Sequence, residues 1–233
     1  MLEVNVARVM LQEKPKKDVS VIVRDYISHL QFGKAFTTKQ ILEKKKFNNE
    51  QSDAIASILS RMSKKKEIVR ISNGVYYRPK STRFGHLPID TKELVAVIAK
   101  SKEATVAPAG VTAVNALGLD TQLAMVKSFI ISERVRAKID VKNVKFEYKE
   151  SFKFFVEHFD VKEEKVRDKA LILWSALSYL DKSGFKYYED ELKCKFKTML
   201  EPKIQSKFIK ALPRSMKWIS ESLDSKGMNE RVY

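Results

Sequence analysis

The 233 residues suffice for one large domain or two to three small ones, each with its own hydrophobic core. Lys and Arg number 45 against 29 Asp and Glu, a net +16 that favours a polyanionic partner, and residues 34–83 alone hold 13 basic and four acidic side chains. The single cysteine, Cys194, excludes an intramolecular disulfide and a Cys-cluster zinc site; Met1–Asn5 does not read as a signal peptide and no apolar run approaches the ~20 residues of a membrane span, so a soluble cytoplasmic protein is expected.

Residues 1–17, ending in Lys14-Pro15-Lys16-Lys17, read as an arm or frayed helix. Val19, Ile22, Val23, Tyr26, Ile27 and Leu30 form a helical stripe over Val19 to Gln31, closed by Gly33. Phe36-Thr37-Thr38-Lys39-Gln40-Ile41-Leu42 begins a short helix on a threonine cap, with Phe36 as its staple. A third helix starts at Asn48-Asn49-Glu50-Gln51-Ser52-Asp53 and runs to about Lys65. Its buried stripe is Ile55, Ile58, Leu59 and Met62, at i, i+3, i+4 and i+7. Ile68 to Ile71 and Val75 to Arg78 then alternate around Ser72-Asn73-Gly74; Asn-Gly between β-rich runs is a strong hairpin signal, because tight hairpin turns need positive φ. Two helices followed at once by a hairpin is the winged helix-turn-helix order, assigned to residues 18–83.

That unit offers a set of DNA-contacting side chains. The polar face of the third helix, with its approach, supplies Thr38, Lys39, Asn48, Asn49, Gln51, Ser57 and Arg61; Asn, Gln and Arg are the types that read adenine or guanine bidentately. Lys64 and Lys65 fit phosphates, although cations at a helix C-terminus also complement its dipole. On the wing, Val69, Ile71, Val75 and Tyr77 should share the buried face. Arg70, Tyr76 and Arg78 should share the solvent face, and Asn73, Lys80 and Arg83 complete the basic surface.

Pro79 to Pro88 reads as a linker. Residues 84–150 read as a small α+β module. It has a helix capped by Asp90, a short helix from Gly110 to Gly118, an apolar strand over Val126 to Ser132, and a strand with Val144, Phe146 and Tyr148 on one face. Residues 151–233 read as helical. One stripe runs through Val166, Ala170, Leu173, Trp174, Leu177 and Leu180, another through Leu192, Phe196, Met199 and Leu200, and a last helix follows Pro213. The expected class is α+β.

Catalytic patterns are missing from the sequence. The closest glycines, Gly110 and Gly118, are eight apart, too far for a phosphate-binding or dinucleotide loop. His29, His86 and His158 lack metal-ligand spacing, and Cys194 has no identifiable His partner. No enzyme, cofactor or metal is expected.

The string Ile71-Ser72-Asn73-Gly74-Val75-Tyr76-Tyr77-Arg78-Pro79, then Gly110-Val111-Thr112-Ala113-Val114-Asn115-Ala116-Leu117-Gly118-Leu119, then Ser132-Glu133-Arg134-Val135-Arg136, resembles the AbiEi-like antitoxins of abortive-infection (type IV) toxin–antitoxin systems. The resemblance covers residues 18–150 and, more loosely, the C-terminal helices through Phe208-Ile209-Lys210-Ala211-Leu212-Pro213-Arg214; family members commonly carry Thr or Asn where Glu133 stands. It implies a bacterial regulator whose winged helix binds double-stranded DNA of its own promoter and whose C-terminal region neutralises a nucleotidyltransferase-like toxin. The competing expectation is a protein-interaction module that uses the winged helix for docking without sequence-specific DNA binding.

Overall fold

Asp18 starts the first helix by accepting from the Ser20 N–H at 3.0 Å, and α1 (Val19–Ser28) buries Val23 and Ile27. The computed structural model describes residues 18–122, 124–135, 139, 141–180 and 182–223. The expected N-terminal arm and two of the basic residues after the middle strand, Arg136 and Lys138, lie outside them. The helix closes at His29, earlier than the expected Gln31.

Ala35–Thr37 is a strand, β1, so the threonine-capped helix expected over Phe36 to Leu42 begins only at Thr38. Thr37 ends it and caps α2 (Thr38–Lys44) in a reciprocal box. Its hydroxyl accepts from Gln40 N–H at 3.1 Å, and the Gln40 side-chain oxygen accepts from Thr37 N–H at 3.0 Å. A single 3₁₀ turn, Asn49–Gln51, leads into α3 (Ser52–Lys64), which buries Ile55, Ile58, Leu59 and Met62 as its periodicity predicts. β2 (Val69–Ser72) and β3 (Val75–Tyr77) follow, and the three strands form an antiparallel sheet in the order β1-β3-β2. Gly74 makes the turn at φ +70°, a conformation that β-carbons disfavour. Its carbonyl accepts from Thr38 N–H at 2.9 Å, tying the turn to the start of α2.

Both faces of this sheet are covered. Phe36 and Tyr76 pack on α1, α2 and α3, stacked with ring centroids 6.0 Å apart. Ala35, Ile71, Val75 and Tyr77 pack instead on Leu94, Val97 and Ile98 of α4 (Thr91–Lys102) and on Ile131 of the next sheet. The alternation of the hairpin is as expected, but its supposed solvent face is not wet: Tyr76 is only 4 % exposed. The stretch read as a linker contains a second hairpin, β4 (Ser81–Thr82) and β5 (Gly85–His86).

The second large sheet combines β6 (Val106–Pro108), β7 (Lys127–Ile131) and β8 (Val144–Tyr148), with β6 antiparallel and β8 parallel to the central β7. Between β6 and β7 lies α5 (Val111–Ala116), closed before Gly118 as expected. Six helices follow: α6 (Glu150–His158), α7 (Glu164–Tyr179), α8 (Lys182–Tyr187), α9 (Glu189–Met199), α10 (Pro202–Ala211) and α11 (Lys217–Leu223). Their core centres on Trp174, with Phe152 at 5.1 Å and Phe155 at 5.7 Å, and takes in Ala107, Val114, Leu117 and Ile130 from the sheet layer. The molecule is α+β. Among the described residues no helix is long and apolar enough to cross a membrane.

Candidate nucleic-acid interface

The amphipathic third helix turns its unburied face toward the hairpin, and a groove of about 630 Å³ runs between them. Thr38, Asp53, Ala56, Ser57, Ser60, Arg61, Arg70, Gly74 and Tyr76 line it. The helix side of this groove is made of small residues, Ala56, Ser57 and Ser60, so a large ligand can approach the helix backbone closely. Arg61 comes from α3 and Arg70 from β2. Arg61 Nε lies 3.4 Å from the Ser57 carbonyl one turn back, and Arg70 donates to the Ser72 carbonyl at 3.4 Å and to Asn73 Oδ1. Neither has a carboxylate partner among the described residues, nor do Lys64, Lys65, Lys80 or Arg83. Other cations of the same unit are ion-paired: Arg24 with Glu67 at 2.9 Å, Lys34 with Glu93 at 3.0 Å, and Lys39 with Glu103 at 3.2 Å.

The predicted residues therefore separate into groups. Thr38, Ser57, Arg61 and Arg70 meet in the groove, whereas Lys64 and Lys65 are exposed at the C-terminal end of α3, outside its lining. Tyr76 also touches the groove, but as part of its floor, packed on Phe36; a solvent-side aromatic it is not, because the sheet is covered on both faces. The Gln51 side-chain oxygen accepts from Asn48 N–H at 3.2 Å and the Asn48 side-chain amide donates to Glu50 at 3.3 Å, while Asn49 is exposed in the 3₁₀ turn that leads into α3. Lys39 and Asn73 line a different cleft, of about 360 Å³, between the hairpin turn and the last turn of α4.

Arg78 is a structural residue. Its guanidinium donates to the carbonyls of Ser28, at 2.7 Å, and Leu30, which the end of α1 leaves without helical partners, and it lies 4.3 Å over the Phe32 ring. Lys80 and Arg83 belong to the second hairpin, which is anchored by the Tyr77 hydroxyl donating to the Leu87 carbonyl at 3.2 Å; burial pushes the pKa of that hydroxyl up. Sequence reading passed over Lys44, Lys45 and Lys46, all exposed at the end of α2, with the first two ammonium groups 5.8 Å from the Tyr26 ring. The run of three charges was itself the available signal. Farther along, Glu133 pairs with Lys153 at 2.9 Å and Arg134 lies 5.0 Å over Tyr148, so these motif residues are engaged locally.

A model of a family of unknown function, DUF6088, matches residues 31–156, more than half of the chain, and the protein belongs to that family. The match spans the groove, α4 and the second sheet and ends inside α6. No curated protein matches the chain.

Proposed function

We propose that residues 18–83 are a winged helix-turn-helix and that the protein is a bacterial, cytoplasmic DNA-binding regulator. The observation that carries this reading is the groove lined by Arg61 and Arg70, neither ion-paired among the described residues, across the small side chains of α3, whereas Arg24, Lys34 and Lys39 of the same unit each meet a carboxylate. The 13-residue α3 is about 20 Å long, and the diameter of a helix with its side chains, about 10–12 Å, fits the ~12 Å width of the major groove. Asn49, Ser57 and Arg61 would face the bases, and Arg70, Lys64 and Lys65 the flanking phosphates. Asp53, at the first turn of α3, is stabilised by the helix dipole and disfavours bases that present only acceptors.

The resemblance to AbiEi-like antitoxins extends the proposal: repression of its own operon, and neutralisation of a nucleotidyltransferase-like toxin by the C-terminal helices, with no catalysis by this chain. A salt-titrated binding assay on the duplex upstream of its own coding sequence, against a scrambled duplex of equal length, tests the regulatory part. Selective binding is expected, with log K falling against log salt by about 0.9 per phosphate neutralised. Arg61→Ala should reduce the preference between the duplexes, and Lys65→Ala should weaken both alike. Equal, weak binding to both duplexes would leave the protein-docking reading in its place.

A further inference from the structure

The short hairpin Ser81–His86 places Arg83 and Phe84 at its tip. Phe84 is 85 % exposed, with the Arg83 guanidinium 4.6 Å over its ring. The tip is ordered by its own bonds: Thr82 Oγ1 donates to the Gly85 carbonyl at 2.8 Å and accepts from Phe84 N–H at 3.2 Å. The base is tied as well, by Leu87 N–H donating to the Lys80 carbonyl at 2.9 Å. Between Glu67 and Asp90 the chain contains no carboxylate side chain, while Arg70, Arg78, Lys80 and Arg83 all fall there. A fixed, outward aromatic ring under an arginine, in a stretch of chain without carboxylates, complements a surface made of stacked rings and phosphates.

We propose that this hairpin is a second nucleic-acid contact, in which Phe84 wedges against base edges in the minor groove beside the α3 site while Lys80 and Arg83 hold phosphates. The proposal rests on the duplex-DNA reading above. The hairpin follows β3, whose Tyr76 lines the α3 groove, after a short connection of Arg78 to Lys80. An apolar wedge there partially unstacks a base step and bends the duplex.

The test uses the full chain and the upstream duplex labelled at its ends for energy transfer. Wild type should bend the duplex and raise transfer; Phe84→Ala should abolish that rise and weaken binding about tenfold, within the range for losing one stacked ring. Phe84 is so exposed that its variant should keep the wild-type melting temperature, and Arg83→Ala should reduce the salt slope by about one contact. If Phe84→Ala binds and bends as wild type does while Arg61→Ala loses selectivity, the wedge is overturned and the α3 reading stands. A change confined to sedimentation of the free protein would make the tip a self-association contact and overturn the wedge equally. Failure of wild type to bind any duplex would overturn both.

Discussion

Arg61 and Arg78 carry the same charge and sit in the same basic stretch, yet the structure uses them differently. Arg78 is half-buried, and its guanidinium satisfies two carbonyls at the end of α1. Arg61 is exposed and holds only a 3.4 Å contact to the Ser57 carbonyl one turn back in its own helix, among the described residues. Arg78→Ala should therefore destabilise the fold by about 1–3 kcal/mol, because it removes two hydrogen bonds from a charged donor to the carbonyls that end α1. Arg61→Ala should move stability by no more than about 0.5 kcal/mol, as surface changes do, and show its effect on DNA selectivity instead. Urea denaturation of both variants decides this, and equal destabilisation would remove the contrast. A second residue-scale prediction concerns Lys66, which closes the α3 turn at φ +60°, a region where a side chain costs roughly 1–2 kcal/mol. Lys66→Gly removes that strain but frees the unfolded chain, so a net gain of about 0.5–1 kcal/mol is expected, read as a higher urea midpoint. An unchanged or lower midpoint would mean that the lysine makes a compensating contact.

At the scale of elements, long periodic segments were legible and short ones were not. The four buried positions of α3 and the Asp90 cap of α4 could be read because a helix repeats its apolar side every three or four residues and advertises its start chemically. β1 has three residues and β4 and β5 two each, too few for a period-two pattern to emerge. Losing β1 had a consequence for the site: with a third strand beside β3 and α4 over the other face, Tyr76 lies in a sheet covered on both sides. Charge told the cations apart only in part, since pairing of Lys39 with Glu103 depends on α4 returning to the hairpin turn, 64 residues later in the chain. The same return yields a prediction. Leu94 of α4 is fully buried among Ile71, Val75 and Tyr77 of the hairpin. Leu94→Ala should cost about 2–5 kcal/mol and accelerate amide exchange in β2 and β3 as well as in α4. Faster exchange confined to α4 would show that the hairpin stands without it.

Across the whole molecule, apolar packing does not stop where sequence composition changes. One buried cluster joins the first sheet to α4 and Ile131; another joins Ala107, Val114 and Ile130 of the middle layer to the C-terminal helices. The family match ends at residue 156, inside α6, yet Phe152 and Phe155 of that helix are fully buried by residues that come later. Phe155 meets Trp174 at 5.7 Å and Phe208 at 5.1 Å, and Phe152 meets Trp174 at 5.1 Å. A fragment ending at residue 160 would expose both rings, each with an apolar surface of order 150–250 Å², and at roughly 25 cal/mol per Å² those two alone forfeit about 8–12 kcal/mol of burial. That equals the whole stability of an ordinary domain, so the fragment should lack a cooperative thermal transition and bind a hydrophobic dye, whereas the full chain melts cooperatively. A fragment that instead melts cooperatively near the full chain's temperature would make α7 to α11 a removable cover. The proposed DNA face and any partner face could then be separated by cutting the chain, and the helices beyond residue 160 would be free to engage a partner without disturbing the groove beside α3.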